Sequence, residues 1–157
     1  MQKKVLVCVA VFSLLSFAGN LTANEGSGAS SQKRRFDVAV LGGVLLEGAD
    51  LSGSLSLGWH MSPTFELEPN VILASGDAVF SLNLKANIPV GGQIVPYLSG
   101  GLGACVHGAI FFLAGGGLKI GIQERLSLRG EFKYYTFKDE GGTSDGGVIL
   151  AGISYSF

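Results

Sequence analysis

The segment His60-Met61-Ser62, followed by Glu66, contains the three side chains that nucleophilic catalysis requires. A serine hydroxyl becomes a nucleophile when an imidazole within hydrogen-bond reach takes its proton and a carboxylate orients that imidazole. The alternation around His60 predicts a strand that ends at the Ser62-Pro63 turn. His60 would then point into the fold while Ser62 lies on the turn, so we predict no catalytic residues here.

Other candidate sites are weaker. The glycine runs at 100–103 and 115–117 are not followed by the Lys-Ser/Thr pair of a phosphate-binding loop. Cys105 is the one cysteine outside the N-terminal apolar segment, and the two histidines lie far apart, so no metal-ligand spacing appears. We therefore predict no cofactor and no metal site, and we expect Cys105 to be a small inward-facing side chain.

The composition excludes several classes of protein. The chain has 157 residues, which suits one domain, and its formal net charge of −1 argues against a nucleic-acid partner. Apolar residues make up 47% and charged residues 15%, which is the opposite of a disordered chain. The 25 glycines follow no three-residue period, so collagen is excluded. The mean hydropathy of +0.43 is high for a soluble domain.

The N-terminus has the pattern of a signal peptide. Lys3 and Lys4 precede an apolar run from Val5 to Phe17, which is too short to cross a bilayer as a helix. We predict a cleaved signal peptide over residues 1–23, a flexible lead-in over 24–35, and one β-barrel domain over 36–157.

From Phe36 onward, apolar and polar residues alternate with a period of two, which predicts strands. Eight such segments are separated by short turn signals, so we predict an antiparallel up-and-down β-barrel of eight strands. Residues 98–118 carry no Lys, Arg, Asp or Glu and leave a membrane helix as an alternative. Their glycines oppose a helix, and His107-Gly108 predicts a hairpin turn there.

The size of the side chains predicts which face is inside. An eight-stranded barrel has room for little more than its own side chains, and the large apolar set would overfill it. We therefore predict a polar interior and an apolar outer face, as in membrane barrels, with a soluble lipocalin-like barrel as the alternative. Trp59, Met61, Tyr134 and Tyr135 are predicted anchors at the two membrane interfaces.

A polar interior must pair its charges. Folding the third and fourth strands about Ser75-Gly76 places Glu66 opposite Lys85 and Glu68 opposite Asn83. Folding the first two strands about Gly48-Ala49 places His60 opposite Asp37. The predicted interior network comprises Asp37, His60, Glu66, Glu68, Lys85, Lys119, Arg129, Glu131 and Lys133.

Several stretches resemble the small OmpA-like, opacity-type outer-membrane barrels. They are the hairpin over Leu55–Glu68, the Pro-Tyr-x-x-x-Gly-x-Gly strand at 96–103, the strand–turn–strand over Leu118–Tyr134, and the ending Gly152–Phe157. The resemblance implies an outer-membrane location in a Gram-negative envelope and contact with outer-membrane lipid. It also implies that Tyr155 and Phe157 form the terminal signal read by the barrel assembly machinery.

The same resemblance suggests what the function is. We expect a structural, envelope-integrity role without catalysis. The alternatives are adhesion to an extracellular ligand through the predicted external loop at 138–146, a narrow porin-like channel, and, more remotely, a lipid A-modifying enzyme. The other predicted external loops, near 48–49, 75–76 and 107–108, are short.

Overall fold

The computed structural model describes residues 35–157 except 49, 75–76, 89, 91–92, 107 and 140–141. The predicted signal peptide and nearly all of the lead-in lie outside the described residues. Among the described residues, no helix is long and apolar enough to cross a membrane. The elements are eight strands: β1 Phe36–Leu45, β2 Leu51–His60, β3 Phe65–Ala74, β4 Asp77–Asn87, β5 Ile94–Cys105, β6 Ile110–Gly121, β7 Leu126–Asp139 and β8 Gly142–Ser156.

The strands form a closed barrel in which each pairs antiparallel with its neighbours in sequence. Closure comes from β1 and β8, which pair from Asp37 opposite Ser156 to Leu45 opposite Val148. Residues 98–118 form β5, a turn and β6, so the membrane-helix alternative is wrong and the predicted eight-stranded barrel is confirmed. We call the end that carries Phe36 and Ser156 the termini end, and the opposite end the hairpin end.

The two faces of the barrel follow the alternation of the sequence. On β4, Leu82 and Leu84 point outward with 52% and 47% of their surface exposed, whereas Asn83 and Lys85 between them are fully buried. The other strands show the same arrangement, with apolar side chains outside and mostly polar side chains inside, which is the reverse of the arrangement in soluble barrels. The barrel therefore has an apolar outer face and a largely polar interior, which excludes the lipocalin-like arrangement.

The register of the β1–β2 hairpin differs from the prediction. Asp37 pairs with Gly58 rather than with His60, whose amide N–H instead donates to the Arg35 carbonyl. The cause is the turn: Leu45 N–H donates to the Asp50 carbonyl at 2.9 Å, which centres the hairpin between residues 47 and 48. Moving the centre one residue towards the N-terminus shifts every cross-strand partner by two.

The predicted loop over 138–146 is also wrong. β7 runs to Asp139 and β8 begins at Gly142, with Thr136 opposite Asp145 and Phe137 opposite Ser144. The segment consists of polar residues and glycines, so cross-strand pairing, and not alternation, extends the ladder here. The barrel wall beside it ends sooner, because the last β1–β8 partners are Leu45 and Val148. The β7–β8 hairpin therefore projects beyond β1.

The interior is not polar throughout. Towards the hairpin end it contains a buried apolar layer formed by Ala39, Leu41, Val148 and Leu150, against which Leu45 and Tyr135 pack. The ring of Phe111 continues the layer, with its centroid 5.1 Å from that of Phe137 and 6.4 Å from that of Tyr135. Tyr135 is therefore an interior residue and not the interfacial anchor that the sequence suggested.

Two glycines on neighbouring strands test how tightly the interior is packed. A Cβ on inward-facing Gly115 would lie 3.0 Å from Lys133 Cα and collide with the Phe132 carbonyl oxygen, whereas a Cβ on Gly130 would meet open space. We expect Gly115→Ala to lower the free energy of unfolding by about 1–3 kcal/mol through overpacking. Gly130→Ala, its matched control, should change it by less than about 0.5 kcal/mol. Urea unfolding in detergent micelles, followed by the fluorescence of Trp59, measures both, and equal effects would contradict this account of the packing.

Candidate functional site: the interior charge network

Arg129 on β7 is the centre of the interior network and is 2% exposed. Its guanidinium grips Glu68 with two hydrogen bonds, Nη1 to Oε2 at 2.6 Å and Nη2 to Oε1 at 3.0 Å. Nη2 also donates to Glu131 Oε2 at 2.5 Å. Bidentate arginine–carboxylate pairs are among the strongest ion pairs in proteins, so this cluster ties β7 to β3 across the lumen.

Two lysines complete the charge balance around Arg129. Lys85 Nζ contacts Glu68 directly and lies 3.8 Å from Glu66 Oε1. Lys133 Nζ lies 2.9 Å from Glu131 Oε1. As predicted, Glu66 is opposite Lys85 and Glu68 is opposite Asn83 on the paired strands β3 and β4.

Tyr97 is a member of the network that the sequence analysis did not identify. Its hydroxyl donates to Glu131 Oε2 at 2.8 Å and accepts from Arg129 Nε at 3.0 Å. The Lys85 ammonium lies 4.7 Å from the centroid of its ring. Gly117 makes room for the ring, since a Cβ there would lie 2.5 Å from the Tyr97 hydroxyl. The sequence signal that could have identified Tyr97 was its odd-numbered position, which puts it on the same inward face of β5 as Ser99.

A second cluster lies nearer the termini end. Lys119 Nζ bridges Asp37 Oδ2 at 2.7 Å and Glu66 Oε2 at 2.8 Å. His60 lies beside them, with Nε2 3.5 Å from Asp37 Oδ2 and Nδ1 3.7 Å from Glu66 Oε2. His60 therefore does contact Asp37, although through a diagonal relation across the strands and not the directly opposed one that was predicted. Its direct partner on β3 is Glu66.

The two clusters together hold eight charged side chains, four of each sign. The carboxylates are Asp37, Glu66, Glu68 and Glu131, and the cations are Lys85, Lys119, Arg129 and Lys133. Most of these residues have at most a few per cent of their surface exposed. A buried charge without a partner is strongly destabilising, so this balance is a condition of the barrel's stability.

The histidine–serine arrangement does not form a nucleophile among the contacts described. The Ser62 hydroxyl accepts hydrogen bonds from the backbone N–H of Phe65 at 2.9 Å and of Thr64 at 3.3 Å, which closes the β2–β3 turn. The contacts of His60 are with carboxylates instead. Cys105 is partly buried on the inward face of β5 and is a free thiol.

The aromatic residues at the rims have mixed positions. Trp59 is 47% exposed on the outer face at the termini end, and Tyr134 is exposed on the outer face towards the hairpin end, where its hydroxyl donates to Asp145. The rings of Tyr155 and Phe157 pack edge-to-face with centroids 5.0 Å apart at the closing strand. Their role as an assembly signal stays a prediction.

Known structures share this fold. A de novo designed transmembrane β-barrel has a TM-score of 0.66 and 18% identity, covering 82% of this chain and 100% of that one. The N-terminal β-barrel domain of Pseudomonas aeruginosa OprF has a TM-score of 0.64 and 16% identity, covering 80% of this chain and 98% of that one. The Yersinia pestis outer membrane protein Ail has a TM-score of 0.55 and 9% identity, covering 80% of this chain and 100% of that one. No protein-family model and no curated protein matches the sequence.

The central cluster predicts a large cost for losing its arginine. Arg129→Met leaves Glu68 and Glu131 buried without their main partner, so we expect the free energy of unfolding to fall by about 3–5 kcal/mol. Neutralising the exposed turn residue Glu124 with Glu124→Gln should change it by less than about 0.5 kcal/mol. Combining Glu68→Gln with Arg129→Met should restore part of the loss. Urea titrations of the refolded variants decide this, and a loss below about 1 kcal/mol for Arg129→Met would show that the cluster is solvated.

Proposed function

We propose that this chain is an integral outer-membrane β-barrel with a structural role in the cell envelope and without catalytic activity. The observation that carries the proposal is the inverted surface of a closed sheet. Large apolar side chains on all eight strands face outward, and examples such as Leu98 and Phe112 are 62% and 64% exposed. In water this surface would aggregate, whereas in lipid it is the expected exterior of a barrel.

The hydrogen bonding of the backbone also supports a lipid environment. A bilayer offers no water to unpaired N–H and C=O groups, so a spanning sheet must close on itself. The continuous ladder from β1 to β8 meets that requirement. The shared fold with Ail, an outer membrane protein whose structure was determined in a phospholipid bilayer nanodisc, is consistent with this assignment. The partners that we propose are outer-membrane lipid and, through Phe157, the barrel assembly machinery, with no nucleic acid.

The interior supports a structural rather than a transporting or catalytic role. The charges in the lumen form ion pairs with one another, and the side chains of Ala39, Leu41, Val148 and Leu150 form a buried apolar cluster beside them. Both sets fill the interior, which argues against a porin-like channel. A lipid A-modifying enzyme would need a nucleophile, and Ser62 is engaged in a turn.

Gel migration tests the membrane-barrel proposal. A closed barrel resists unfolding by dodecyl sulfate at room temperature because its ladder has no free edge. We expect detergent-refolded protein to run faster unboiled than boiled, with a urea-denatured sample as the control that runs at the boiled position. Identical migration of all samples, from protein whose circular dichroism shows β-structure, would contradict the proposal.

The projecting β7–β8 hairpin favours one second function, recognition of an extracellular ligand. Residues Gly142 to Asp145 are exposed and pair with β7 alone. In the proposed membrane orientation they stand beyond the wall of the barrel at its outer end. Such a polar projection suits contact with a host surface or a soluble ligand.

Shortening this hairpin tests the second function. Removal of residues 139–142 joins the opposed residues Lys138 and Thr143 in a tighter turn and leaves the rest of the ladder intact. If the hairpin is the recognition element, cells that display the shortened protein should lose adhesion to host surface, while heat-dependent migration stays normal. The single substitution Ser144→Ala serves as the control that keeps the hairpin. Full adhesion by the shortened protein would exclude this role.

A further inference from the structure

The cluster of Asp37, His60 and Glu66 has the composition of a metal site. These residues come from three neighbouring strands, β1, β2 and β3, and one ligand atom of each lies within 4.8 Å of the others. One imidazole nitrogen and two carboxylates form a mixed donor set that suits Zn²⁺ and similar first-row ions better than Mg²⁺ or Ca²⁺, which prefer oxygen alone. The residues are separated along the sequence, which is why spacing alone did not indicate a site.

Two oxygens in this cluster lack hydrogen-bond partners among the described residues. They are Asp37 Oδ1 and Glu66 Oε1, on side chains that are 2% and 0% exposed. Buried carboxylate oxygens are almost always satisfied, so an unpaired pair in one place points to a group that completes them. The nearest cation to Glu66 Oε1 is Lys85 Nζ at 3.8 Å, which is beyond hydrogen-bond distance.

Gly58 allows both of these oxygens to lie close to the backbone of β2. A Cβ built there would lie 2.5 Å from Glu66 Oε1 and would collide with Asp37 Oδ1. Asp37 Oδ1 and Glu66 Oε1 therefore approach the same point of the β2 backbone, and any other residue at position 58 would displace them.

Lys119 shapes the site and leaves Asp37 Oδ1 and Glu66 Oε1 without a hydrogen-bond partner in the described part of the chain. Its ammonium binds the other oxygen of each carboxylate, Asp37 Oδ2 and Glu66 Oε2. It thereby orients both groups, as an outer hydrogen-bond partner of metal ligands does. Its positive charge also opposes a second cation, so it lowers the affinity of the site.

The site is open to solvent at the termini end. The His60 side chain is 25% exposed and that of Lys119 is 11% exposed, whereas Lys85 and Arg129 deeper in the lumen are fully buried. An ion can therefore reach the cluster without passing the central charges.

We propose that Asp37, His60 and Glu66 bind a first-row divalent metal ion, with Asp37 Oδ1, Glu66 Oε1 and one imidazole nitrogen as protein ligands. Water completes the coordination, and Lys119 stays on the outer oxygens. Binding fixes the start of β1 to the end of β2 and the beginning of β3. The inference does not depend on the proposed envelope role.

Calorimetric titration of the untagged, refolded full chain with ZnCl₂ in detergent micelles tests the proposal. We expect one saturable site. His60→Gln should weaken zinc binding by about 100-fold or more, whereas the same change at the chain's other histidine, His107→Gln, should leave it unchanged. Lys119→Met should strengthen binding by about 10-fold because the competing charge is gone. MgCl₂ should give no saturable heat.

The outcomes separate clearly. No saturable zinc binding by the natural sequence would overturn the proposal, and so would binding that appears only with Lys119→Met, because the ammonium would then exclude the ion from the native protein. Binding that survives His60→Gln or disappears with His107→Gln would place the ion elsewhere and would also overturn it. Gly58→Ala should abolish binding because its methyl group would displace both carboxylates. Heat-dependent gel migration of each variant verifies that it folds. If Gly58→Ala does not fold, the separate variants His60→Gln and Lys119→Met decide whether the ion binds at this cluster.

Discussion

Closure of the hydrogen-bonded ladder is the constraint on which the rest of this structure depends. Because β8 pairs back onto β1, every strand has a neighbour on both sides along the wall. A sheet with no free edge can leave its outer face apolar without offering a template to other strands. Closure also fixes a narrow lumen, since eight strands leave room for little beyond side chains. The outward face and the crowded interior are two consequences of one backbone arrangement.

The narrow lumen then determines which residues can stand inside. Large interior side chains occur where the neighbouring strand supplies glycine: Tyr97 lies over Gly117, and Phe111 lies over Gly103. Charged side chains are admitted because their partners come from the opposite wall, as Glu68 and Arg129 do. Many of the glycines are explained in this way by close packing. At these positions glycine is a requirement of the narrow lumen.

The sequence predicted what depends on period and parity, and missed what depends on turns and on neighbours across the barrel. Alternation was enough to give eight strands and the direction of each face, and the turn predicted at Ser75-Gly76 gave the register of the β3–β4 hairpin. The β1–β2 register was wrong because a shift of one residue in the turn centre moves Asp37 from His60 to Gly58. The extent of the β7–β8 hairpin was missed because its many small polar residues and glycines look like a loop when pairing is not considered. Tyr97 was overlooked since its partners, Glu131 and Arg129, are remote in sequence.

The interior of the barrel differs between its two ends: one part stabilises the fold, and another has side chains that could bind a ligand. Towards the hairpin end Leu41, Leu150 and their neighbours form a buried apolar cluster. In the centre Arg129 forms ion pairs with Glu68 and Glu131, and these pairs stabilise the wall. Near the termini end Asp37 and Glu66 each keep one oxygen unpaired beside a histidine that solvent can reach. Free coordinating capacity and solvent access coincide at this cluster, and for that reason its chemistry can respond to what the surrounding solution contains.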